Sequence, residues 1–487
     1  MSGPLRVTRT GRDMVGEMDG DTFRHWAHEA ATFAADYRET LRDQPVRART
    51  KPGEIAALLP ESPPEDAEPM AALFEDFRRI IVPGMTHWQH PRFFAYFPAN
   101  ASPASVIAEM LSSAMGAQCL LWQTSPAATE LEGVALDWLR QAVGLPADFT
   151  GVIQDSASSA TLCAFLTMRE RALGFTGNAT GLSGRERLRV YASAEVHTSI
   201  DRAAWVSGIG HDNLIRVPTA GPLRGMDPAA LEAAITADLA AGHRPAGLVL
   251  CIGGTGTGAI DTAPELIRIA HRHGLFVHVD AAWAGTAMIC PEFRDLWAGV
   301  EAADSIVLNP HKWLGVQFDC SAHYLRSVDD HLRTLSIQPE YLKTHGHDDI
   351  TNYSEWTVQL GRRFRALKLW FVLRAHGLNG LREMMRNHVR WSQALAARLA
   401  QEPGFALAST PVLSLFTFRH DPGDGRDLDA HMLAMLTAIN DGGDLYLTPT
   451  RIDGHLAIRF QAGAMETTEG DVDAAFQIIR DTARASS

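Results

Sequence analysis

Lys312 is the residue whose neighbours most clearly indicate chemistry. It lies between His311 and Trp313, just after the apolar run 306–308. Apolar surroundings disfavour an ammonium ion and lower the pKa of a lysine, which turns its amine into a usable nucleophile. Such an amine can hold an aldehyde cofactor, for example pyridoxal phosphate, as a Schiff base. Taken alone, a lysine of this kind is more often ion-paired or extended towards solvent. The hypothesis therefore needs support from other residues.

The strongest companion is an acid at the end of a predicted strand. Residues 274–280 are apolar and β-branched, which predicts a buried strand that ends at Asp280. Open α/β sheets bind ligands beyond the carboxyl ends of their strands. There the carboxylate can pair with a protonated pyridine nitrogen and keep the ring an effective electron sink, and Ala281 and Ala282 leave room for a flat ring. The alternative is that Asp280 only caps the next helix.

A small-residue turn supplies a candidate phosphate site. The short apolar stretch 152–153 is followed by Ser156, Ala157 and Ser158 and then by an apolar-periodic segment. This order predicts a strand, a turn and a helix start, where free N–H groups and the helix dipole favour a phosphate. An ordinary serine-rich N-cap is the alternative. Asp155 would be unfavourable beside a phosphate unless its side chain points away.

His197 is a candidate to cover a bound ring. It follows a short predicted strand at residues 190–192 and begins a predicted helix. Its imidazole can therefore project over a ligand at the sheet edge. A lone histidine is more often a hydrogen-bonded structural residue, and this alternative stays open.

Together these motifs resemble the pyridoxal-phosphate-dependent aromatic L-amino acid decarboxylases, which belong to the group II amino acid decarboxylases. The resemblance runs over nearly the whole chain. The segments that carry it are Lys51-Pro-Gly-Glu-Ile, Phe94-Ala-Tyr-Phe-Pro, Thr129-Glu-Leu-Glu, His278-Val-Asp-Ala-Ala, Asn309-Pro-His-Lys-Trp, Asp319-Cys-Ser-Ala and Leu360-Gly-Arg-Arg-Phe-Arg. It implies the α/β fold of the pyridoxal-phosphate-dependent transferases (aspartate aminotransferase-like, fold type I).

The resemblance assigns roles to individual residues. It implies that Lys312 forms the Schiff base, that Asp280 pairs with the pyridine nitrogen and that His197 stacks on the ring. The other cofactor contacts that it implies are Ser156, Ala157, Ser158, Thr255, Ala282, Asn309 and His311. The predicted cofactor is pyridoxal 5'-phosphate, and no metal is predicted.

The resemblance also implies the reaction. A decarboxylase holds the scissile bond of its substrate perpendicular to the cofactor ring and then protonates Cα. In the resembled enzymes a tyrosine on a mobile loop gives that proton, and the matching residue is Tyr341. The polar stretch 345–352 that follows has the composition of a closing lid. Relatives with phenylalanine at the tyrosine position tend towards oxidative production of an aldehyde, so Tyr341 favours an amine product.

The predicted substrate is a small aromatic amino acid: tryptophan, phenylalanine, tyrosine or dihydroxyphenylalanine. By resemblance, the substrate-binding residues are Trp88, Tyr96, Phe97, Leu120 and Gly361, although any of these aromatic residues could equally belong to a core. Leu120 replaces a phenylalanine that is usual in the animal enzymes, and Ala99 replaces a threonine whose hydroxyl can meet a catechol. Loss of that hydroxyl weakens the preference for hydroxylated rings by about 1 kcal/mol.

Composition excludes several other classes. The 487 residues carry a net charge of −13, which argues against nucleic acid, whose binding needs clustered Lys and Arg. No apolar run approaches the roughly 20 residues of a membrane span, and the first residues lack a signal sequence. The five cysteines are scattered without a CxxC pair, as expected of reduced thiols in a cytoplasmic protein.

Three domains are predicted. Residues 1–102 form a helical segment, with helices near 15–45 and 70–81, which by resemblance packs across a partner subunit in a homodimer with active sites at the interface. Residues 103–378 form a large cofactor-binding domain with a mostly parallel sheet. Residues 379–487 form a small α/β domain with a helix near 380–402 and strands at 412–418 and 455–461.

Other enzyme classes remain to be weighed. The glycine-rich stretch 253–258 resembles a dinucleotide loop, but its spacing is loose. A glycine-rich strand end that lets the cofactor approach is a sufficient explanation of this stretch. An aminotransferase shares the lysine and aspartate logic and would need an arginine for the substrate α-carboxylate. The candidates for that role are Arg362, Arg363 and Arg365, although ion pairs are the commoner fate of such a cluster.

Further alternatives concern metals and substrates. The pairs His87/His90 and His345/His347 lack a complementary set of cysteines or carboxylates that would complete a metal site. A glutamate decarboxylase would need cationic groups at the positions of Trp88 and Tyr96. An aromatic aldehyde synthase, which couples decarboxylation to oxidation, remains an alternative to the predicted decarboxylase. A cofactor-binding protein without catalysis would be expected to lack the lysine, the acid or the loop tyrosine.

Overall fold

The computed structural model describes residues 18–337 and 350–486, and the chain divides into two compact units between His87 and Trp88. In the first unit, helix α1 spans Gly20–Glu39 and helix α2 spans Met70–Asp76. Both helices were predicted. Aromatic side chains join them, because Trp26 stacks against Phe74 at 4.8 Å between ring centroids.

The second unit contains the remaining elements. Its helices are α3 Pro103–Met115, α4 Pro126–Val143, α5 Ala157–Ala172, α6 Gly177–Thr180, α7 Ser199–Val206, α8 Pro228–Ala240, α9 Ala263–Arg272, α10 Pro310–Trp313, α11 Val328–Leu335, α12 Arg365–Leu399, α13 Leu428–Gly442 and α14 Glu469–Ala485. Its strands are β1 Thr150–Gln154, β2 Leu188–Ser193, β3 Leu214–Val217, β4 Thr219–Ala220, β5 Gly225–Met226, β6 Arg244–Cys251, β7 Phe276–Asp280, β8 Ser305–Leu308, β9 Ser321–Leu325, β10 Phe405–Leu407, β11 Leu415–His420, β12 Thr448–Ile452 and β13 His455–Gln461.

A large sheet with the order β1-β9-β8-β7-β6-β2-β3 forms the centre of the second unit. Strands β3, β2, β6, β7 and β8 run parallel, while β9 is antiparallel to both of its neighbours. Every residue of β7 and β8 is buried, as near-continuous apolar runs require in a sheet covered on both faces. The mostly parallel sheet is therefore confirmed, and the carboxyl ends of β6, β7 and β8 meet at one edge.

A smaller antiparallel sheet with the order β10-β11-β13-β12 follows. Phe416, Phe418 and Phe460 lie in its core together with side chains of α13 and α14. The strands predicted in this region are confirmed as β11 and β13, although β11 is displaced by a few residues towards the C-terminus.

Helix α12 joins the two sheets of the second unit. It begins before the predicted helix and bends at Gly377, whose φ of 62° and ψ of 163° are not helical. Glycine adopts this conformation without the steric cost of a Cβ. The division of the chain at residues 102 and 378 stays a prediction.

None of the helices within residues 18–337 and 350–486 is long and apolar enough to cross a membrane. The five cysteines are free and buried.

Candidate active site

A cavity of about 220 Å³ lies at the carboxyl edge of the large sheet. Nine of the predicted cofactor residues line it: Ser156, Ala157, Ser158, His197, Thr255, Asp280, Ala282, Asn309 and Lys312. The predicted substrate residue Phe97 lines it as well. Residues from six separate parts of the sequence thus come together at the place where a parallel sheet binds ligands.

Lys312 enters the cavity from the short helix α10, directly after β8. Burial lowers the pKa of its ammonium to about 8, with Asp280 opposing the change and Arg459 adding to it. Its Nζ lies 4.8 Å from the ring centroid of Phe97. A larger share of the amine is therefore neutral at physiological pH than for an ordinary lysine.

Asp280 and His197 flank the same space. Asp280 ends β7, and its Oδ1 accepts the Ala282 N–H at 3.1 Å. The His197 Nδ1 accepts the Ser199 N–H at 3.1 Å, which leaves Nε2 as the protonated nitrogen of the neutral ring. Burial lowers the pKa of His197, although Asp280 opposes the change. A neutral imidazole is suited to stacking on a cationic pyridine ring.

The start of helix α5 forms the anion site. Ser156 is the N-cap, and its Oγ accepts the Ser159 N–H at 3.2 Å. The Ala157 and Ser158 amides then have no carbonyl of the preceding turn to bond, as at any helix N-terminus. Asp155 does not line the cavity, because its carboxylate accepts hydrogen bonds from Ser156 Oγ and Gln359 Nε2, each at 2.9 Å. The residues present fit the phosphate, the ring nitrogen and the aldehyde of pyridoxal phosphate.

The glycine-rich stretch 253–258, called the glycine loop below, forms one wall. Gly253 has a φ of 88°, and a Cβ there would come within 2.7 Å of the Ala284 Cβ and 2.9 Å of the Trp283 ring. On its other side, a Cβ at Gly256 would come within 3.0 Å of Thr450 in the small sheet. Close packing between the two sheets therefore accounts for the glycines without a dinucleotide.

Trp283 is a cavity residue that was not predicted. Its indole stacks on Phe97 at 4.8 Å with an interplanar angle of 24°, and on Trp313 at 5.5 Å with an angle of 16°. Trp313 is held in turn, because its Nε1 donates to the His388 Nδ1 at 2.9 Å. The available signal was the position of Trp283, directly after the Asp-Ala-Ala motif. Ser199 and Cys251 also line the cavity without having been predicted, and Gly253 and Gly254 of the glycine loop line it as well.

Arg459 was also missed. It is 2% exposed, and it donates from Nε to the Thr255 carbonyl at 2.7 Å and from Nη1 to the Tyr96 carbonyl at 2.5 Å. Its guanidinium lies 4.5 Å from the ring centroid of Phe97, and its Nη2 has no hydrogen-bond partner among the residues that the structure describes. A charged residue within the apolar strand β13 was the signal.

Several predicted residues do not line this cavity. His311 lies behind it: its Nδ1 accepts the Cys320 N–H at 2.8 Å, and burial lowers its pKa to about 3. Trp88 and Tyr96 are exposed and stack on each other at 5.7 Å. Leu120 and Gly361 are near neighbours of each other, because the Cys119 N–H donates to the Arg362 carbonyl. Tyr341 and residues 345–349 of the predicted lid 345–352 lie outside the described residues.

The arginines considered for a substrate carboxylate are engaged in ion pairs. Arg362 pairs with Glu132 at 2.6 Å, and Arg365 pairs with Asp319 at 2.9 Å. Arg363 pairs with Glu109. No group of three or more metal-ligating side chains is found within the described parts of the chain, and the pair His345/His347 lies outside them.

The family model described as "Pyridoxal-dependent decarboxylase conserved domain" matches residues 52–421. Phenylacetaldehyde synthase of Arabidopsis thaliana is 37% identical over 477 residues, which cover 96% of each chain. Tryptophan decarboxylase 2 of Oryza sativa subsp. japonica is 36% identical over 487 residues, which cover 97% of each. The crystal structure of Oryza sativa TDC with PLP and tryptamine matches with a TM-score of 0.94 and 35% identity, covering 97% of this chain and 99% of that one.

Proposed function

We propose, from the premise that this chain belongs to the aromatic amino acid decarboxylase family of pyridoxal-phosphate-dependent carboxy-lyases, that it converts an aromatic L-amino acid to the corresponding arylalkylamine and carbon dioxide. One observation carries the proposal: a single cavity joins Lys312, Asp280 and the N-terminus of α5. Phe97 and Trp283 give this cavity an aromatic wall.

Pyridoxal phosphate supplies an aldehyde that bonds to amines and a ring that accepts electrons while its nitrogen is protonated. Lys312 would hold the aldehyde through its amine, and its lowered pKa would favour the neutral amine that this requires near neutral pH. The Asp280 carboxylate holds the proton on the ring nitrogen. The free amides of α5 bind the phosphate, and His197 covers the ring face.

The residues around the substrate must orient the bond between Cα and the carboxylate and then deliver a proton to Cα. Phe97 and Trp283 hold the aromatic side chain, which leaves the carboxylate to be placed perpendicular to the ring plane. Tyr341, which lies outside the described residues, is the proton donor to Cα by resemblance. Lys312 would hold the cofactor between turnovers.

The test is a panel assay of the purified protein supplied with pyridoxal phosphate. Carbon dioxide and amine should appear in equal amounts from tryptophan, phenylalanine, tyrosine or dihydroxyphenylalanine. Glutamate serves as the rival substrate, since Trp88 and Tyr96 stand where its decarboxylases would need cations. Carbon dioxide from glutamate alone would contradict the proposal.

An aldehyde synthase is the second candidate, favoured by the 37% identity to phenylacetaldehyde synthase. That reaction consumes oxygen and water and releases aldehyde, ammonia and hydrogen peroxide besides carbon dioxide. Tyr341 favours the amine instead, by resemblance. An oxygen electrode separates the two reactions. The wild type should consume little oxygen for each carbon dioxide released, whereas Tyr341→Phe should consume nearly one molecule of oxygen per molecule of carbon dioxide. Stoichiometric oxygen uptake by the wild type would establish the second candidate.

By resemblance, the residues at two positions favour rings without a catechol, although neither lines the cavity of its own chain. Ala99 offers no hydroxyl to a hydroxylated ring, and Leu120 is smaller and less polarisable than the phenylalanine of the animal enzymes. Tryptophan or phenylalanine should therefore be at least as good a substrate as dihydroxyphenylalanine. Measured kcat/KM values that favour dihydroxyphenylalanine a hundredfold would reject this.

A homodimer is proposed because one set of apolar residues is exposed on the surface and one set of predicted substrate residues lies away from the cavity of its own chain. Helix α3 exposes the apolar residues Val106, Ile107, Met110, Leu111 and Met115, more than a monomer leaves uncovered without a reason. Leu120 and Gly361 do not line the cavity of their own chain and would complete the cavity of the partner.

Mixed dimers test this arrangement. Lys312→Ala and Gly361→Trp are each expected to be inactive. Mixed and refolded together in equal amounts, they should regain about one quarter of the wild-type activity, because half of the dimers would contain one intact site. If the mixture stays inactive while sedimentation shows dimers, Gly361 acts within its own chain.

A further inference from the structure

Glu195 joins two parts of the cavity that are distant in the sequence. It lies two residues before His197, in the turn after β2. Its Oε2 accepts the Thr257 hydroxyl at 2.7 Å, and Thr257 belongs to the glycine loop. One carboxylate therefore connects the turn that carries His197 with the loop that carries Thr255.

The second oxygen of Glu195 extends the contact to the small sheet. Glu195 Oε1 accepts the Arg224 Nε–H at 2.8 Å. Arg224 then donates to the Asp453 carboxylate at 3.1 and 3.3 Å, in the turn between β12 and β13. Arg224 and Asp453 both have a φ of 52°, a backbone conformation that residues other than glycine adopt only at a cost in free energy. These contacts thus hold two strained turns in place.

The glycine loop depends on such external contacts. Four of its six residues are glycine, and glycine has the largest freedom to lose on ordering. Its backbone bonds are local: the Gly253 and Gly254 N–H groups donate to the Ala259 carbonyl, each at 2.9 Å. Its other side-chain anchors are the Arg459 bond to Thr255 and a longer hydrogen bond, 3.4 Å, from Ser409 to the Thr257 carbonyl. The Glu195 side chain is 13% exposed, so its bonds are charge-assisted and little screened.

We propose that Glu195 is a positioning residue for the cofactor: it holds the His197 turn against the glycine loop at the separation that the bound ring requires. This inference rests on the proposed function, because it assumes that the cavity holds pyridoxal phosphate. Glu195 itself does not line the cavity.

The two ends of the contact should differ in importance. Asp453 is 71% exposed, and exposed ion pairs contribute little. Thr257 is buried, and loss of a buried bond to a charged group typically costs about tenfold or more in an equilibrium. The bond between Glu195 and Thr257 should therefore contribute more to cofactor binding than the ion pair between Arg224 and Asp453.

The experiment measures cofactor affinity and loop protection in separate samples. Glu195→Ala should weaken pyridoxal phosphate binding by about tenfold, reduce the induced circular dichroism of the bound cofactor, and speed amide hydrogen exchange of residues 253–258 in the cofactor-free protein. Glu195→Gln keeps one oxygen acceptor and should recover most of the affinity. Asp453→Ala should stay within about twofold of the wild type. The control is Glu186→Ala, since Glu186 forms an exposed pair with Arg244 at 3.6 Å.

A structural role alone would lower the melting temperature without changing the dichroism of the bound cofactor. If Glu195→Ala fails to fold, Thr257→Val decides, because it removes only the hydroxyl and should act in the same direction. Wild-type affinity and unchanged loop exchange in both variants would overturn the inference. If the wild type itself does not bind pyridoxal phosphate, the proposed function fails, whereas accelerated exchange in Glu195→Ala would still support the contact.

Discussion

The two walls of the cavity are built in different ways. The wall at the sheet edge, called the strand-end wall, consists of Ser156–Ser158, Asp280 and Lys312, each at the end of its own strand and the start of the next element. The other wall, called the loop wall, consists of Phe97, Trp283 and the glycine loop, with Arg459 and Glu195 bonded to that loop. The first wall carries the reactive groups, and the second positions what they act on.

Charge is used differently in the two walls. In the strand-end wall, burial lowers the pKa of Lys312 to about 8, so its amine can react. In the loop wall, burial lowers the pKa of Arg459 as well, yet this side chain donates to two backbone carbonyls and acts as a brace. Variants of the strand-end wall should therefore affect the chemical step, and variants of the loop wall should affect binding and selectivity.

The largest effect is expected from a comparison of two buried lysines. Lys312→Ala should lower kcat by at least about 10³-fold, because it removes the nucleophile. Burial also lowers the pKa of Lys368 to about 8, but Lys368 bonds to Gln317 at 2.8 Å and Glu109 at 3.1 Å, outside the cavity. Lys368→Met should therefore lower the melting temperature and leave kcat within about threefold. Equal losses of kcat in both variants would mean that a low pKa, and not the position in the wall, identifies the reactive lysine.

Two buried aspartates give the next largest contrast. Asp280→Asn removes the counter-charge of the ring nitrogen and should lower kcat by about a hundredfold with an unchanged melting temperature. Asp261 accepts the N–H groups of Met226 and Cys251, each at 2.6 Å. Asp261→Asn should instead destabilise the fold by about 1–3 kcal/mol, as measured by chemical denaturation. A stable Asp280→Asn protein with full activity would remove Asp280 from the chemistry.

The strand-end wall could be predicted because its signals are local. An apolar run, an acid and two alanines mark the end of β7, and the turn at Ser156 lies between β1 and α5. Each signal lies within a few residues of the position it predicts. The fold followed from the same alternation of strands and helices.

The loop wall could not be predicted in the same way. Arg459 bonds to Thr255 and Tyr96, which lie 204 and 363 residues away in the sequence. No local pattern encodes such a contact, so the sequence of the glycine loop predicted only a strand end that a cofactor can approach, and Arg459 was not predicted at all. His311 is the reverse case, since it belongs to a specific motif, but its Nδ1 accepts the Cys320 N–H and it does not line the cavity. Its contact with the cofactor stays a prediction.

A smaller effect should follow from Arg459, whose charge helps to lower the pKa of Lys312. In the cofactor-free protein, the amine reacts with pyridoxal phosphate only when deprotonated, so the rate of cofactor binding should rise through a midpoint near pH 8. Arg459→Met removes a positive charge, which should move that midpoint to higher pH and lower kcat/KM by about tenfold. Absorbance near 420 nm follows the reaction. Arg451→Met is the control, because Arg451 is an exposed arginine of the adjacent strand β12, paired with Asp429.

The smallest effect concerns Trp283, and it would show that the loop wall sets selectivity. Trp283→Phe shortens the indole that stacks between Phe97 and Trp313, which leaves space beside the substrate ring. The kcat/KM ratio of tryptophan to phenylalanine should rise by about threefold to tenfold, with cofactor affinity unchanged. Trp391→Phe is a matched control, since Trp391 packs against the core of the small sheet, away from the cavity. If the ratio stays constant while cofactor affinity falls, Trp283 belongs with the cofactor, and the two walls are not divided between chemistry and selectivity.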